Sequence, residues 1–170
     1  MPSNFQAAIQ LILTAATTGT PQKETILTVG NTPPYLVING GLPVLDLVIT
    51  ASTIDKVFFD HGMTKGLLER LDTVLMTPKA LYRSETVSGG AVVVTFELKG
   101  GNPIVVAIHP NKLMGRSRYN VIASLYAKDA AIESRWQAKG LLVWAPPVAP
   151  VPAAAPVMQP VVCPLKPPEA

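Results

Sequence analysis

Groups that could transfer protons and hold a phosphate lie in two parts of this chain. The first is His61, which is followed by Gly62 and lies between two segments with helical spacing. The second runs from Lys112 to Trp144 and contains six Lys or Arg residues but only two acidic ones. A histidine suits proton transfer because its ordinary pKa lies near neutrality, and Arg or Lys suits a phosphate oxygen. A local basic excess of this kind favours a polyanionic partner, of which nucleic acid is the commonest in a cell.

RNA cleavage is a reaction that needs only such side chains. The 2′-hydroxyl of the RNA attacks the adjacent phosphorus, so the protein must take up that proton, protonate the leaving 5′-oxygen and stabilise charge on the phosphate. The candidates for proton transfer and phosphate orientation are His61, Asn120, Ser124 and Tyr126. The candidates for holding the phosphodiester backbone are Lys65, Arg116, Arg118 and Lys128.

The two histidines also have ordinary structural interpretations. His61 could cap a helix end, where a histidine interacts favourably with the helix dipole. His109 could be a surface residue at the end of a strand, just before Pro110. It becomes a candidate for catalysis only if it faces the same cleft as His61.

The polar residues around the second segment have alternatives as well. Ser124 and Tyr126 could form the solvated side of a half-buried strand. Asn120 could bond the backbone of a turn. Residues 115–119 could be a solvated basic loop that binds nothing, and Lys65 could be an ordinary exposed lysine on a helix.

Several classes of enzyme are excluded because their motifs are missing. The sequence has no Walker-type phosphate loop, no dinucleotide-binding glycine pattern, no His-Glu-x-x-His and no Gly-x-Ser-x-Gly. The single cysteine, Cys163, can form neither an internal disulfide nor a cysteine-based zinc site. We therefore expect no cofactor and no metal.

Hydrophobic spacing and turn residues predict an α+β fold built on a mainly antiparallel sheet, with helices near the N-terminus and one late helix. The predicted helices are residues 4–16 capped by Ser3, 52–58 capped by Ser52, 65–74 capped by Thr64, and a late one from Asp129 to Gly140. The predicted strands are residues 25–29, 35–38, 44–50, 91–98, 104–108, 120–126 and 141–144.

The alternating pattern of the strand before the late helix predicts which of its side chains share a face. Ile122, Ser124 and Tyr126 would point to one side of the sheet, with Asn120 and Lys128 bracketing them. This arrangement would gather the polar candidates on a single surface.

The composition divides the chain into three parts, an N-terminal helix in residues 1–20, an α+β domain in 21–145 and a tail in 146–170. Nine of the 25 tail residues are proline, and most of the others are Ala or Val. Such a segment is typical of a disordered or polyproline-like tail that can bind a partner. The whole chain is 48% hydrophobic and only 15% charged, which suits either a well-filled core or a surface that binds another protein.

The order and spacing of several short segments resemble the phage MuF C-terminal type of domain, which belongs to the barnase–EndoU–colicin–RelE superfamily of ribonuclease folds. The resemblance covers roughly residues 25–144 and implies a barnase/RelE-like fold and an endoribonuclease-like or toxin-like domain of a phage or mobile element. The segments that carry it are Val29-Gly30-x-Thr32-Pro33, Gly40-Gly41-Leu42-Pro43, His61-Gly62, Leu71, Pro78, residues 102–106, Asn120-Val121-Ile122-x-Ser124-x-Tyr126-x-Lys128 and Trp136-x-x-x-Gly140-Leu141-Leu142.

Two functions follow as hypotheses. The first is metal-independent cleavage of RNA, with tRNA and ribosome-associated RNA as candidate targets and an immunity protein as a candidate partner. The alternative is a non-catalytic interaction module of a phage particle or mobile element. The N-terminus lacks a basic region before its apolar run, and no apolar run reaches the ~20 residues of a membrane span. We therefore expect no signal peptide, no membrane contact, and a location in the host cytoplasm or in a phage particle.

Overall fold

The computed structural model describes residues 3–147. The expectation of a disordered tail in residues 146–170 therefore lies almost wholly outside the described residues. The helices and strands, in chain order, are α1 Asn4–Thr17, β1 Ile26–Asn31, α2 Pro34–Ile38, β2 Asp46–Thr50, α3 Ala51–Phe59, α4 Lys65–Glu69, α5 Leu71–Met76, β3 Ala80–Arg83, β4 Ala91–Lys99, β5 Asn102–Met114, β6 Ser117–Ala127, α6 Ile132–Ala138 and β7 Leu142–Trp144.

The seven strands form one sheet in the order β1-β2-β6-β5-β4-β3-β7. Every neighbouring pair is antiparallel except β2 and β6, which are parallel. The predicted α+β class with a mainly antiparallel sheet is thus confirmed. The strand that carries most of the candidate residues, β6, lies in the interior of the sheet, between β2 and β5.

The helices divide unequally between the two faces of the sheet. Buried residues of α1 to α5 share one hydrophobic core with Leu47, Ile49, Val93, Val106 and Ile122 of the strands. On the opposite face Trp136 of α6 packs over a smaller cluster on β3, β4 and β5. Of the helices within residues 3–147, only α6 packs on that side. We call the side of α1 to α5 the helix face.

Local sequence signals explain several of the observed elements. Ser3 caps α1 as predicted, Gln6 also bonds back to the N–H of Ser3, and Ile9 of this helix is fully buried. The hairpin between β4 and β5 turns at Gly100 and Gly101, both with positive φ, which glycine adopts without steric cost. The structure confirms both of these predicted elements.

Other expectations were wrong. Residues 35–38 form helix α2 and not a strand, because Pro34 at its first position fixes a helical φ. The cap of α3 is Thr50, whose side chain accepts the N–H of Thr53, and not Ser52. The helix predicted for 65–74 breaks at Arg70 into α4 and α5. The short strand β3 was not predicted, and the late helix begins at Ile132 and not at Asp129.

No helix in residues 3–147 is long and apolar enough to cross a membrane.

A candidate nucleic-acid interface along strand β6

A bulge in β6 determines which candidate side chains share a face. Ser124 pairs with Ala107 and Ile122 pairs with Ile108, so Ala123 is an extra residue on β6. Ile122 and Leu125 therefore both enter the core on the helix face, while Ser124 and Tyr126 point to the other side. The alternation predicted from the sequence was wrong at this point, since it placed Ile122 on the same face as Ser124.

Asn120 lies on the helix face and is fully buried. Its Oδ1 accepts the N–H of Asn111 at 3.2 Å. Its Nδ2 donates to Thr32 Oγ1 at 2.8 Å and to the carbonyl of Pro43 at 2.9 Å. Both amide hydrogens are thus used inside the protein, and the side chain ties β6 to two loops. The expectation that Asn120 shares a surface with Ser124 was wrong.

His61 lies in the joint between α3 and α4 and is half-buried. Its Nδ1 is 2.6 Å from the carbonyl oxygen of Leu125, the residue after Ser124. Because β2 pairs with β6 only over residues 120–122, the imidazole covers the edge of β6 just beyond the end of β2. A carbonyl can only accept, so Nδ1 carries the proton, and in the neutral ring Nε2 holds the free lone pair.

Lys99 also belongs to this site, although the sequence did not indicate it. Its Nζ donates a hydrogen bond to the backbone carbonyl of His61. A Cβ on Gly62 would lie 2.7 Å from the same Nζ, and Gly62 has a φ of 61°, so glycine fits here on two grounds. The contact spans 38 residues of sequence, and no local pattern around Lys99 could have revealed it.

Lys128 lies near the same end of β6. Its backbone N–H donates to the carbonyl oxygen of Pro103 in β5. Its Nζ is 5.1 Å from the centre of the Tyr126 ring. Within residues 3–147 neither Lys99 nor Lys128 forms a salt bridge with an acidic side chain. Both positive charges therefore remain available to a ligand.

Arg116 and Arg118 belong to a projecting hairpin and not to a loop. Residues 112–114 of β5 and 117–119 of β6 pair only with each other, joined by a two-residue turn at Gly115 and Arg116. We call residues 111–119 the basic arm, because it contains Lys112, Arg116 and Arg118 and no acidic residue. The expected loop at 115–119 was wrong, because strand pairing continues almost to the turn.

The basic arm and His61 lie at opposite ends of β6. Arg118 and Leu125 are seven residues apart, which corresponds to roughly 20 Å of extended chain. The candidate residues therefore form a line along one strand and not a single cluster. Lys65 lies apart from this line, on α4, where its Nζ is 3.6 Å from Glu69 of the same helix.

Ser124, Tyr126 and His109 lie between the two ends, on the side opposite the helix face. His109 pairs with Val121 across β5 and β6. Burial, and then the nearby positive charge of Lys112, lower the pKa of His109, so its ring is mainly neutral at pH 7. Burial, and then the nearby negative charge of Glu85, raise the pKa of Tyr126, whose hydroxyl therefore keeps its proton.

Comparison with known proteins gives one match. A family model described as the phage MuF-C-terminal domain matches residues 54–147, more than half of the chain. The chain belongs to the phage MuF C-terminal domain family. No curated protein and no solved structure matches it.

The MuF C-terminal match begins inside α3 and extends past β7. It therefore contains His61, Lys99, the basic arm and all of β6. Elements α1 to β2 precede the matched residues but complete the same core and the same sheet. The phage part of the expected resemblance is confirmed, and the ribonuclease part stays a prediction.

Proposed function

We propose that this MuF C-terminal domain binds RNA along β6 and cleaves it through attack of the 2′-hydroxyl. The observation that carries the proposal is the hydrogen bond from His61 Nδ1 to Leu125. It fixes the imidazole at the edge of β6, next to the backbone of Leu125, and leaves Nε2 as the basic nitrogen. Lys99 and Lys128 add positive charge at the same end of the strand.

The proposed reaction needs one base, one acid and a site for the phosphate charge. His61 Nε2 takes the proton from the 2′-hydroxyl, and the resulting oxygen bonds to the phosphorus. The bond from phosphorus to the 5′-oxygen breaks, and that oxygen takes a proton from Tyr126. Ser124 donates a hydrogen bond to a phosphate oxygen, and Lys128 balances its charge. The products are a 2′,3′-cyclic phosphate and a free 5′-hydroxyl.

Asn120 has a structural role in this scheme and does not orient the phosphate, the role that its residue type had suggested. Because its amide group is buried and bonded internally, it holds the strand and two loops and does not touch the RNA. Lys65 is likewise left out of the proposed contacts, since it lies on α4 and faces Glu69.

The basic arm would hold the phosphodiester backbone beyond the reacting phosphate. Changing Arg116 and Arg118 together to alanine should weaken RNA binding and flatten its dependence on salt. Each phosphate contact to a single strand contributes about 0.7 to the slope of log K against log salt concentration, so the slope should fall by about 1.4. Filter binding of a labelled single-stranded RNA at several salt concentrations measures this slope.

Lys23→Ala with Lys56→Ala is the matched control. It removes the same charge from two exposed positions away from the basic arm, since Lys23 precedes β1 and Lys56 lies on α3. The control should leave the slope close to that of the wild type. An unchanged slope in the arginine variant, or an equal fall in both variants, would show that the arm does not contact the backbone.

A second candidate function is a non-catalytic protein-interaction module. A mainly apolar cavity of about 400 Å³ lies between β1, α2 and α5, where Val29, Pro33, Pro34, Leu75 and Met76 contribute to its wall. Large apolar side chains are also exposed at Ile38 and Val44. These features would suit a protein partner, and they make this the preferred function if the wild-type chain leaves RNA intact.

A further inference from the structure

We propose that a cavity at the foot of the basic arm binds a nucleotide whose base carries an exocyclic amino group, with the base against Asp46 and the phosphate against Arg118. This proposal rests on the proposed function, because it gives the RNA-binding strand a base-selective position. It adds a site that lies apart from His61 and from the reacting phosphate.

The cavity lies where the ends of β1 and β2 meet the start of β6. Its volume is about 420 Å³, within the range of ~300–1,000 Å³ typical of small-molecule sites. Asn31, Asp46 and residues 117–119 supply its polar walls, and Val44 and Leu45 supply an apolar one. A ligand with one flat apolar part and two polar ends would match this lining.

The charged groups of the cavity are not paired with each other. Asp46 and Arg118 both line it, but their charged atoms are more than 4.0 Å apart, since no salt bridge joins them. Within residues 3–147 the side chain of Asp46 forms no hydrogen bond, and Arg118 forms one, from an Nη to the carbonyl of Asn111. The cavity thus offers a carboxylate that only accepts and a guanidinium that only donates, set apart from each other.

A nucleotide has the complementary arrangement. Its base amino group donates to a carboxylate, and its phosphate accepts from a guanidinium in a strong charge-assisted pair. Uracil lacks the amino group that cytosine carries at the same ring position. The Asp46 carboxylate therefore predicts that a cytosine nucleotide binds more tightly than the uracil nucleotide of equal size.

Two further features favour a nucleotide over an amino acid, which also has separated charges. Tyr119 lines the cavity, and its aromatic ring offers a stacking surface for a base. The cavity also lies at the start of β6, the strand that carries the line of candidate residues, with Ser124 roughly 15 Å further along it. A base held beside Tyr119 would belong to the same RNA chain that reaches His61.

The direct test is an NMR titration of the full chain, isotopically labelled, with CMP and with UMP. We expect CMP to shift the backbone amide signals of Asn31, Leu45 and Tyr119. UMP should shift them only at concentrations roughly tenfold higher or more, because it cannot form the hydrogen bond to the charged carboxylate. Asp46→Asn should abolish this preference, and Arg118→Gln should weaken both nucleotides. Glu24→Gln, an equal charge change outside the cavity, should alter neither.

Several results would overturn the proposal. Equal shifts with CMP, UMP and ribose 5-phosphate would show a phosphate site without base recognition. Shifts produced by glycine or alanine at the same concentration would show an amino-acid site. An absence of shifts at the cavity for all nucleotides would show that it binds none. If CMP binds but RNA is not cleaved, the proposed function fails and the cavity remains a nucleotide site; if RNA is cleaved without CMP binding, only the cavity proposal fails.

Discussion

Changing His61 to alanine should lower the rate of RNA cleavage by roughly two to four orders of magnitude, the usual contribution of a positioned acid or base. The change removes Nε2, the nitrogen proposed to accept the proton of the 2′-hydroxyl. It leaves the RNA contacts of the basic arm and Lys128 in place, so binding should fall much less than the rate. Single-turnover cleavage of a labelled RNA, with binding measured in parallel, separates the two effects.

Asparagine is the sharper replacement at this position. Its amide nitrogen can still donate to the carbonyl of Leu125 as Nδ1 of His61 does, but it offers no basic nitrogen in place of Nε2. His61→Asn should therefore be as slow as His61→Ala while unfolding at a denaturant concentration closer to that of the wild type. His109→Asn serves as the matched control and should cleave at nearly the normal rate. Undiminished cleavage by His61→Asn would rule out its role and direct attention to His109 or Tyr126.

Changing Asn120 to alanine should reduce the free energy of unfolding by about 2–4 kcal/mol. The change leaves the N–H of Asn111 and the carbonyl of Pro43 without their buried partner, and each such group costs about 1–3 kcal/mol. It also opens a small cavity under β6. Equilibrium unfolding in urea, followed by circular dichroism, measures the loss.

Asn102→Ala is the control for this stability change, because Asn102 is exposed in the β4–β5 hairpin. Exposed substitutions of this kind usually alter stability by no more than about 0.5 kcal/mol. A loss as small as this for Asn120→Ala, together with a large loss of cleavage, would mean that Asn120 acts on the RNA and not on the fold.

The elements that the sequence predicted well are those whose signals are local. Ser3 and Gln6 are three residues apart and form a reciprocal cap, and Gly100-Gly101 between two apolar runs forms a tight hairpin. Runs of Val and Ile in 91–98 and 104–108 gave both central strands. Together these signals were sufficient for the α+β class, and the Thr64 cap of α4 marked the joint between two helices in which His61 lies.

The features that the sequence missed depend on contacts between distant segments. The bulge at Ala123 arises from the pairing of β6 with β5, and an alternating pattern carries no sign of one extra residue. Residues 35–38 are all apolar, as a buried strand would be, yet Tyr35 enters the core from a helix and bonds the carbonyl of Leu75. Likewise, the contact of Lys99 with His61 exists only because the β4–β5 hairpin folds back toward α3.

The central claim is that the chain cuts RNA by using the RNA's own 2′-hydroxyl. The most direct measurement incubates the EDTA-treated full chain with single-stranded RNA of mixed sequence, tRNA and ribosomal RNA, and with a copy of a cleaved RNA that carries one 2′-deoxy nucleotide at the cut position. The account predicts cleavage that leaves a 2′,3′-cyclic phosphate, and no cleavage at the deoxy position. Intact RNA in all three classes, or equal cutting at the deoxy position, would contradict it.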